Sequence, residues 1–582
     1  MLKTLFTKAV DKSFRKLGFY SIIFRRKDRK DFPSVERLSL YKTDCIFSGK
    51  QNANLGDLFY KLMTAEGDPR ILQNELPFWK TTRKGFDPRD HVEVAKGWHW
   101  LRSFTQDQER ADVNISIDKI EDFFIKNEFP NGLAWGVALD VAVRAINLCF
   151  IYSLTGNNRL KIHILNHYDY LRKAIWFTRG SMRNNHYLGE LVALAIMSKM
   201  INADSFLSLR KLVEKEIEQQ FYADGVNIEQ SVRYHKFSLE FLILANLFLD
   251  IQKPVMLKAG EFLMALKKPD GSWPSIGDDD LGCVIRLHDD PLNGDYCSVL
   301  STLAILYNRG DFKTVAGSLA PESCLLIEDA RTKWINTKTI SPEKSFLFEK
   351  GGFQVWRSGW GPKDSYLLFK FGPHKWHAHA DLFHIELSVN GHNVLVDSGT
   401  YRYNNAPEMR KYFRSTSAHN TVTINDEDQT KQWTTFRWHR SAKVVDWRVQ
   451  ENSGMLFFQA QHDGYRRYGV RHRREVEARH SLKDITIHDF LLGKTSFMIR
   501  QFWHFDPSVD LKMKKQNLIS ILRNGQVIGT LLIESDLTKV IHLKETAFSK
   551  FYGELSTNST VEVEVAKTNG KQARITAHFE FF

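Results

Sequence analysis

The chain has 582 residues, 43% of them hydrophobic and 26% charged, and Lys+Arg exceed Asp+Glu by 81 − 68 = 13. This length exceeds one compact core, so two or three domains are expected, and the composition excludes a disordered or fibrous chain. A balance this basic favours polyanionic partners: nucleic acid, an anionic membrane surface or an acidic polysaccharide.

Residues 1–30, "MLKTLFTKAVDKSFRKLGFYSIIFRRKDRK", are basic and read either as a solvated leader or as an amphipathic surface helix. They lack the uninterrupted apolar stretch and small-residue cleavage site of a secretory signal. No apolar run looks long enough to span a bilayer. A cytoplasmic location is therefore expected, with periplasmic or secreted placement by a non-standard route left open. Segment 1–80 is weakly patterned and is assigned no fold. The cysteines are Cys45, Cys149, Cys283, Cys297 and Cys324. They are odd in number and form no C-x-x-C, which argues against a disulfide framework and a thiolate zinc site.

Residues 81–340 are expected to be helical. "GVALDVAVRAINLCFIYSL" (136–154), "YLGELVALAIMSKM" (187–200) and "SLEFLILANLFLDI" (238–251) carry apolar residues at i, i+3 and i+4. Turn chemistry separates them at "TGNN", "ADG" and "KPDGSWP". Many such helices in sequence point to a helical array or toroid. From about residue 341 to 582 the period falls to two. "SYLLFKF", "FHIELSV" and "HNVLVDS" read as strands, with hairpin turns at Asn390-Gly391 and Asn524-Gly525. This half reads as an antiparallel β-sandwich, so the fold class is a multidomain α+β chain.

Four stretches carry chemistry. In "RGSMRNNHYLGE" (179–190), Asn184, Asn185 and His186 precede an apolar helix. A helix cap needs only one such residue, and Asn185 would serve. In "YADGVNIEQSVRYHKF" (222–237), a helix follows Asp224-Gly225 and bears Glu229, Gln230, Arg233, Tyr234 and His235, residue types that on a helix more often mark a core edge or a solvated face than a site. "WPSIGDDDLG" (273–282) is acidic but lacks the spacing of a calcium-binding EF-hand loop and reads as a structural turn. The richest stretch is "HKWHAHADLFHIELSVNGHNVLVDSGTYRY" (374–403). If it is a strand there, His377 and His379 share a face. His379, Asp397 and His419 would then gather metal ligands from three neighbouring strands. Hydrogen-bonded polar residues on a half-exposed sheet are the plain alternative.

Together these motifs resemble the heparinase II/III-like polysaccharide lyases from about residue 125 to 470. The resemblance starts at "PNGLAWGVALDVAVRAIN" and is most specific at "HAHADLFHIELSVNGHNVLVDSGTYRY" and "FRSTSAHNTVTIND". It implies an N-terminal (α/α) toroid followed by an antiparallel β-sandwich. It also implies β-elimination at the 4-linkage of a uronic acid, with an acidic polysaccharide as partner and no nucleic acid. By position, Asn185 is implied to neutralise the uronate carboxylate, with His186 supporting it or serving as a base. Tyr234 is implied as acid, base or both, and His377 as the β-domain histidine that reaches the substrate. His379, Asp397 and His419 are implied to hold one structural divalent metal, zinc by habit, with calcium also compatible; no organic cofactor is implied. Trp135, Arg183, Asn184, Gln230, Arg233, His235, Arg414 and Asn420 are the candidate substrate-lining residues, with packing as their alternative. Asp140 stands where relatives often have Glu.

Heparan sulfate or heparin is the first substrate expected, with hyaluronan, chondroitin and alginate as alternatives. A binding module for acidic glycans is a rival from another class. A binuclear metallo-hydrolase is a further rival, because "HAHAD" has the H-x-H-x-D form.

Overall fold

The computed structural model describes residues 113–582, apart from 131–134, 289, 291–292, 404–405, 453 and 569–571. Segment 1–80, the basic leader and Cys45 lie outside the described residues. The chain divides into two compact units. The first takes the residues up to Phe221 together with Lys236–Gly260 and Gly282–Ile340; the second takes Tyr222–His235, Glu261–Leu281 and Ser341–Phe582. The change of period near residue 340 coincides with the last of these boundaries. Two short segments that precede it in sequence nevertheless pack with the β unit.

The first unit is helical. Its elements are α1 (Val113–Lys126), α2 (Ala138–Thr155), α3 (Leu160–Ser181), α4 (Asn185–Met200) and α5 (Phe206–Gln220), then most of α6 (Val232–Leu249) and α7 (Pro254–Ala265). α8 (Gly294–Tyr307), α9 (Gly310–Ala316), α10 (Pro321–Leu326) and α11 (Ala330–Asn336) follow. α2 packs against α3 and α4, and α4 against α5. Helices that are buried on every side need apolar residues all round, and α2 is buried continuously from Leu139 to Leu154. α5 shows the opposite case, because it buries only Val213, Glu216, Ile217 and Gln220. α2 ends where Gly156 turns left-handed and donates its N–H to Tyr152 O.

One reading from the sequence needs correction here. By length and composition alone α2 is apolar enough to cross a membrane, but 83% of it is buried inside the fold, as a core helix would be. Among the described residues Cys149, Cys283, Cys297 and Cys324 are free thiols.

The second unit is built from antiparallel sheet. A five-stranded sheet runs β1 (Ser345–Phe348), β2 (Phe353–Arg357), β3 (Tyr366–Lys370), β4 (Ile385–Val389) and β5 (His392–Leu395) in sequence order. A four-stranded sheet contains β6 (Val422–Ile424), β7 (Phe497–His504), β8 (Lys539–Phe548) and β9 (Ser556–Lys567), in the order β8-β9-β7-β6. The largest sheet has eight strands between residues 444 and 581. Both anticipated hairpins form. Asn390 and Gly391 have φ of 52° and 87° and join Val389 to its partner His392; Asn524 and Gly525 likewise join Arg523 to Gln526. Alternation puts Ile485, Ile487 and Leu491 into a shared core with Trp356, Phe369, Phe458 and Trp503. Each such side chain contributes about 1.5–3 kcal/mol on burial.

Candidate active site

Three segments of the second unit are knitted together by their backbones. Ser231 Oγ accepts from Tyr234 N at 3.2 Å, as an N-cap does, and donates to Asp278 O. Val232 N donates to Ile276 O, and Asp278 N to His377 O at 2.9 Å. The approach is close enough to exclude a side chain at residue 277. A Cβ on Gly277 would stand 2.8 Å from Gln230 O and 2.9 Å from His377 O, and its φ is +74°. Gln230, Trp376 and Tyr401 also have positive φ, at 60°, 38° and 63°. For residues other than glycine this costs on the order of 1–3 kcal/mol each, a strain that concentrates at functional sites.

The side chains that meet there are buried. The rings of Tyr234 and His377 stack with centroids 3.9 Å apart and planes 8° from parallel. Tyr234 Oη donates to Asp280 Oδ2 at 2.9 Å and lies 3.0 Å from Tyr403 Oη. His377 Nδ1 donates to Asp278 Oδ2 at 2.8 Å, and its Nε2 is 3.4 Å from Glu229 Oε2. Asp278 also accepts from His379 Nε2 at 3.0 Å and from Arg410 Nη2 at 2.8 Å. Arg410 lies on α12 (Pro407–Phe413). Burial pushes the Asp278 carboxyl up, but the Arg410 guanidinium and the hydrogen bonds from His377, His379 and Arg410 outweigh it and hold the group well below the usual carboxylate range. One ionised carboxylate therefore orients both imidazoles.

The placement of His377 and His379 differs from the expectation. They lie in the connection between β3 and β4, and the i, i+2 face rule does not apply. Asp397 follows the end of β5, and His419 follows a short 3-10 turn, Thr416–Ala418. His379, Asp397 and His419 do meet, but from three connections, not three strands. One ligand atom from each lies within 4.8 Å of the others. His379 donates through Nε2 to Asp278, which leaves Nδ1 buried without a hydrogen-bond partner. His419 donates through Nδ1 to Asp397 Oδ2 at 2.9 Å, which leaves Nε2 in the same state. Burial lowers the His379 pKa despite Asp278 and so favours the neutral imidazole, the form that ligates a metal. Two orphaned imidazole nitrogens beside a carboxylate fit a divalent cation of the zinc type. His384 plays a different part. Its Nδ1 accepts from Asn420 N at 3.1 Å, so its neutral form carries the proton on Nε2, 3.7 Å from Asp397 Oδ2.

The acidic stretch 273–282, read from sequence as a turn, is the largest omission of that reading. It supplies Asp278 and Asp280 to the cluster, while Asp279 accepts from Arg233 Nε at 3.0 Å. No ordered spacing marked these residues, because their partners lie about 45 to 130 positions away. Arg410 and Tyr403 carry no local sequence signal for the same reason. Asp381 pairs with Lys370 at 2.7 and 2.6 Å, a structural ion pair.

The other candidates fall into two groups. In the β unit, Asn420 Nδ2 donates to Ile385 O and Val396 O, and its Oδ1 accepts from His504 N. Its amide is thus committed to backbone groups next to His419 and Asp397. Arg474, held by Asp489, donates to Phe383 O and Asn420 O and braces the same loops. His235 Nδ1 accepts from Asn227 N, and Arg414 Nη1 donates to Thr434 O at 2.7 Å beneath Trp438. Gln230 is buried.

In the helical unit, Asn184 is the N-cap of α4, its side chain accepting from His186 N. Asn184, and not Asn185, therefore does the capping. Asn185 is fully buried and His186 half-buried in the first turn. Arg183 donates twice to Glu216 Oε2, at 2.9 and 2.7 Å. Trp135 is buried, with Nε1 on Asn127 O and its ring against His167 and Tyr170.

A helical toroid unit followed by antiparallel β-sandwich sheets, with a buried tyrosine–histidine–carboxylate cluster, places this chain in the toroid-plus-sandwich class. Residues 340–576 match the family described as Heparinase II/III-like, C-terminal. A heparin-sulfate lyase of Bacteroides stercoris is 34% identical over 314 residues, which are 50% of this chain and 41% of that protein. The match thus spans less than half the length of that curated relative. Among solved structures, heparinase III superposes with a TM-score of 0.67 at 14% identity, covering 98% of this chain and 91% of that one. A heparan sulfate lyase from Pedobacter heparinus gives 0.57 at 18% identity, covering 85% and 78%. At such identities the likeness is one of fold.

Proposed function

We propose that the protein is a polysaccharide lyase acting on a uronic-acid-containing acidic polysaccharide, with heparan sulfate or heparin as the first substrate class. It cleaves by β-elimination and leaves a 4,5-unsaturated uronate end. The observation that carries this is the parallel Tyr234–His377 pair, each ring fixed at its polar atom by a buried aspartate. The heparin-sulfate lyase of Bacteroides stercoris supports the substrate class, and the net charge of +13 suits a polyanion.

The C5 proton of a uronate is α to a carboxylate and only weakly acidic. Its removal needs a base at C5, neutralisation of the carboxylate as it gains charge, and a proton for the departing O4. Tyr234 serves as the acid/base, since a phenol both takes and gives a proton at one oxygen. His377, with Nδ1–H on Asp278, presents Nε2 for neutralisation or proton abstraction. Asn185 neutralises the carboxylate and His186 assists it, as the family resemblance implies. His379, Asp397 and His419 would hold one divalent metal, zinc by donor type. When bound, the ion would fix the loop two residues from His377 and supply no step of the reaction.

The test is incubation with heparan sulfate, heparin, hyaluronan, chondroitin sulfates and alginate, followed by ultraviolet absorbance of the unsaturated uronate. Absorbance should rise on at least one glycan, and Tyr234→Phe should abolish it while substrate still binds. Binding without absorbance would instead make the chain a glycan-binding module. Reducing ends without absorbance would make it a hydrolase.

A further inference from the structure

The oxygen that the lyase reading makes the acid/base, Tyr234 Oη, is engaged from two sides by groups to which that reading gives no task. Asp280 Oδ2 accepts from it at 2.9 Å, and Tyr403 Oη lies 3.0 Å away. Both are buried, at 2% and 1% exposure, so these contacts are made largely out of water. They are also held firmly. Asp279 N donates to Thr400 Oγ1, Thr400 Oγ1 to Gly277 O, and Arg233 clamps Asp279. On the other side the Arg410 guanidinium lies 4.8 Å from the Tyr403 ring centre.

We propose that Asp280 is a positioning residue that holds the Tyr234 proton during turnover, with Tyr403 steadying the phenolate that results. This rests on the lyase reading. The cycle balances without any co-reactant. Asp280 Oδ2 takes the phenol proton, so the Tyr234 O–H bond breaks and a carboxyl O–H bond forms. The phenolate takes the C5 proton, and the C–H electron pair passes into the uronate carboxylate. That pair then returns to form the C4=C5 bond as the C4–O4 bond breaks, and O4 takes the proton from Tyr234 Oη. The phenolate recovers its first proton from Asp280. The net change moves one proton from C5 to O4 and restores both side chains.

A phenol in water is a far weaker acid than a carboxylic acid, so the first transfer needs help at the phenolate. Tyr403 Oη is placed to donate a hydrogen bond there, in a site where water does not weaken it. A carboxylate that merely fixed the tyrosine would be replaceable by an amide, since an asparagine side-chain oxygen accepts the same hydrogen bond. An amide cannot hold the proton, and this difference decides between the two roles.

The experiment compares Asp280→Asn and Tyr403→Phe with the wild type on a glycan that the wild type cleaves, reading kcat and KM separately. Asp280→Asn should lower kcat by about 100-fold or more with KM within about threefold. Tyr403→Phe, which removes a single oxygen, should lower kcat about tenfold. An Asp280→Asn protein that matches the wild-type kcat overturns the relay and leaves the lyase reading standing. Should Asp280→Asn fail to fold, wild-type kcat in Tyr403→Phe overturns it instead. A wild type that yields no unsaturated product on any glycan overturns the lyase reading and the relay with it.

Discussion

Glu190 on α4 has no exposed surface, and its Oε2 accepts from Thr178 Oγ1 at 2.7 Å. Burial raises its pKa to about 8, against a smaller lowering by the Thr178 hydrogen bond. The folded-state value lies above the unfolded one, so between pH ~4.3 and about 8 the folded chain keeps a proton that the unfolded chain has lost. Stability from this group is complete below the unfolded pKa and falls as pH rises through the folded one. The loss is on the order of 3–5 kcal/mol if the whole span is crossed. Glu190→Gln keeps an acceptor for Thr178 and cannot ionise. Its melting temperature should exceed that of the wild type increasingly from pH 6 to pH 9. Parallel melting curves across that range would show that the carboxyl is not held neutral.

At the scale of elements, the proposed site depends on where loops cross, and the crossing at Gly277 brings the segments of Gln230 and His377 against one another. Gly277→Ala meets the backbone of residues 230, 231 and 377 within 2.9 Å and must also adopt φ +74°. Gly271→Ala is a control, because Gly271 has φ +88° but open space around its Cβ position. Both variants should lose about 1–3 kcal/mol of stability. Only Gly277→Ala should also lower kcat by more than tenfold, because it displaces Asp278 and His377 together. Equal kcat in the two variants would detach the crossing from the chemistry. The proposed metal set invites a parallel test: His379→Ala should lower bound-metal content and melting temperature together, and unchanged metal content rejects the ligand set.

The same crossings explain what could be read in advance. Helix and strand periods marked α2, α4, α6, β3, β4 and β5, and Asn-Gly marked two hairpins, because those signals are local. His379, Asp397 and His419 are legible as a set from expected neighbouring strands and from family resemblance, though the segments that carry them are connections and not strands. Asp278, Asp280, Tyr403 and Arg410 gave no local signal. A single aspartate that binds two histidines about a hundred residues downstream looks in sequence like any acidic turn.

At the scale of the whole molecule, the excess of 13 positive charges makes an electrostatic prediction that needs no single residue. Screening shortens the reach of charge from about 10 Å at 0.1 M salt to about 3 Å at 1 M. Attraction between a basic chain and a polyanion weakens with it, as it does for other polyelectrolyte ligands. The proposed chemical step lies among buried groups such as Tyr234, Asp280 and His377, where added salt has little access. On a heparan-type glycan, raising potassium chloride from 0.05 to 0.5 M should therefore raise KM at least fivefold and change kcat less than twofold. A neutral polysaccharide tested as competitor should inhibit weakly at either salt concentration. A KM independent of salt would mean that the net charge serves something other than substrate capture. A kcat that falls in step with the rise in KM would place exposed charges, and not the buried cluster, at the chemical step.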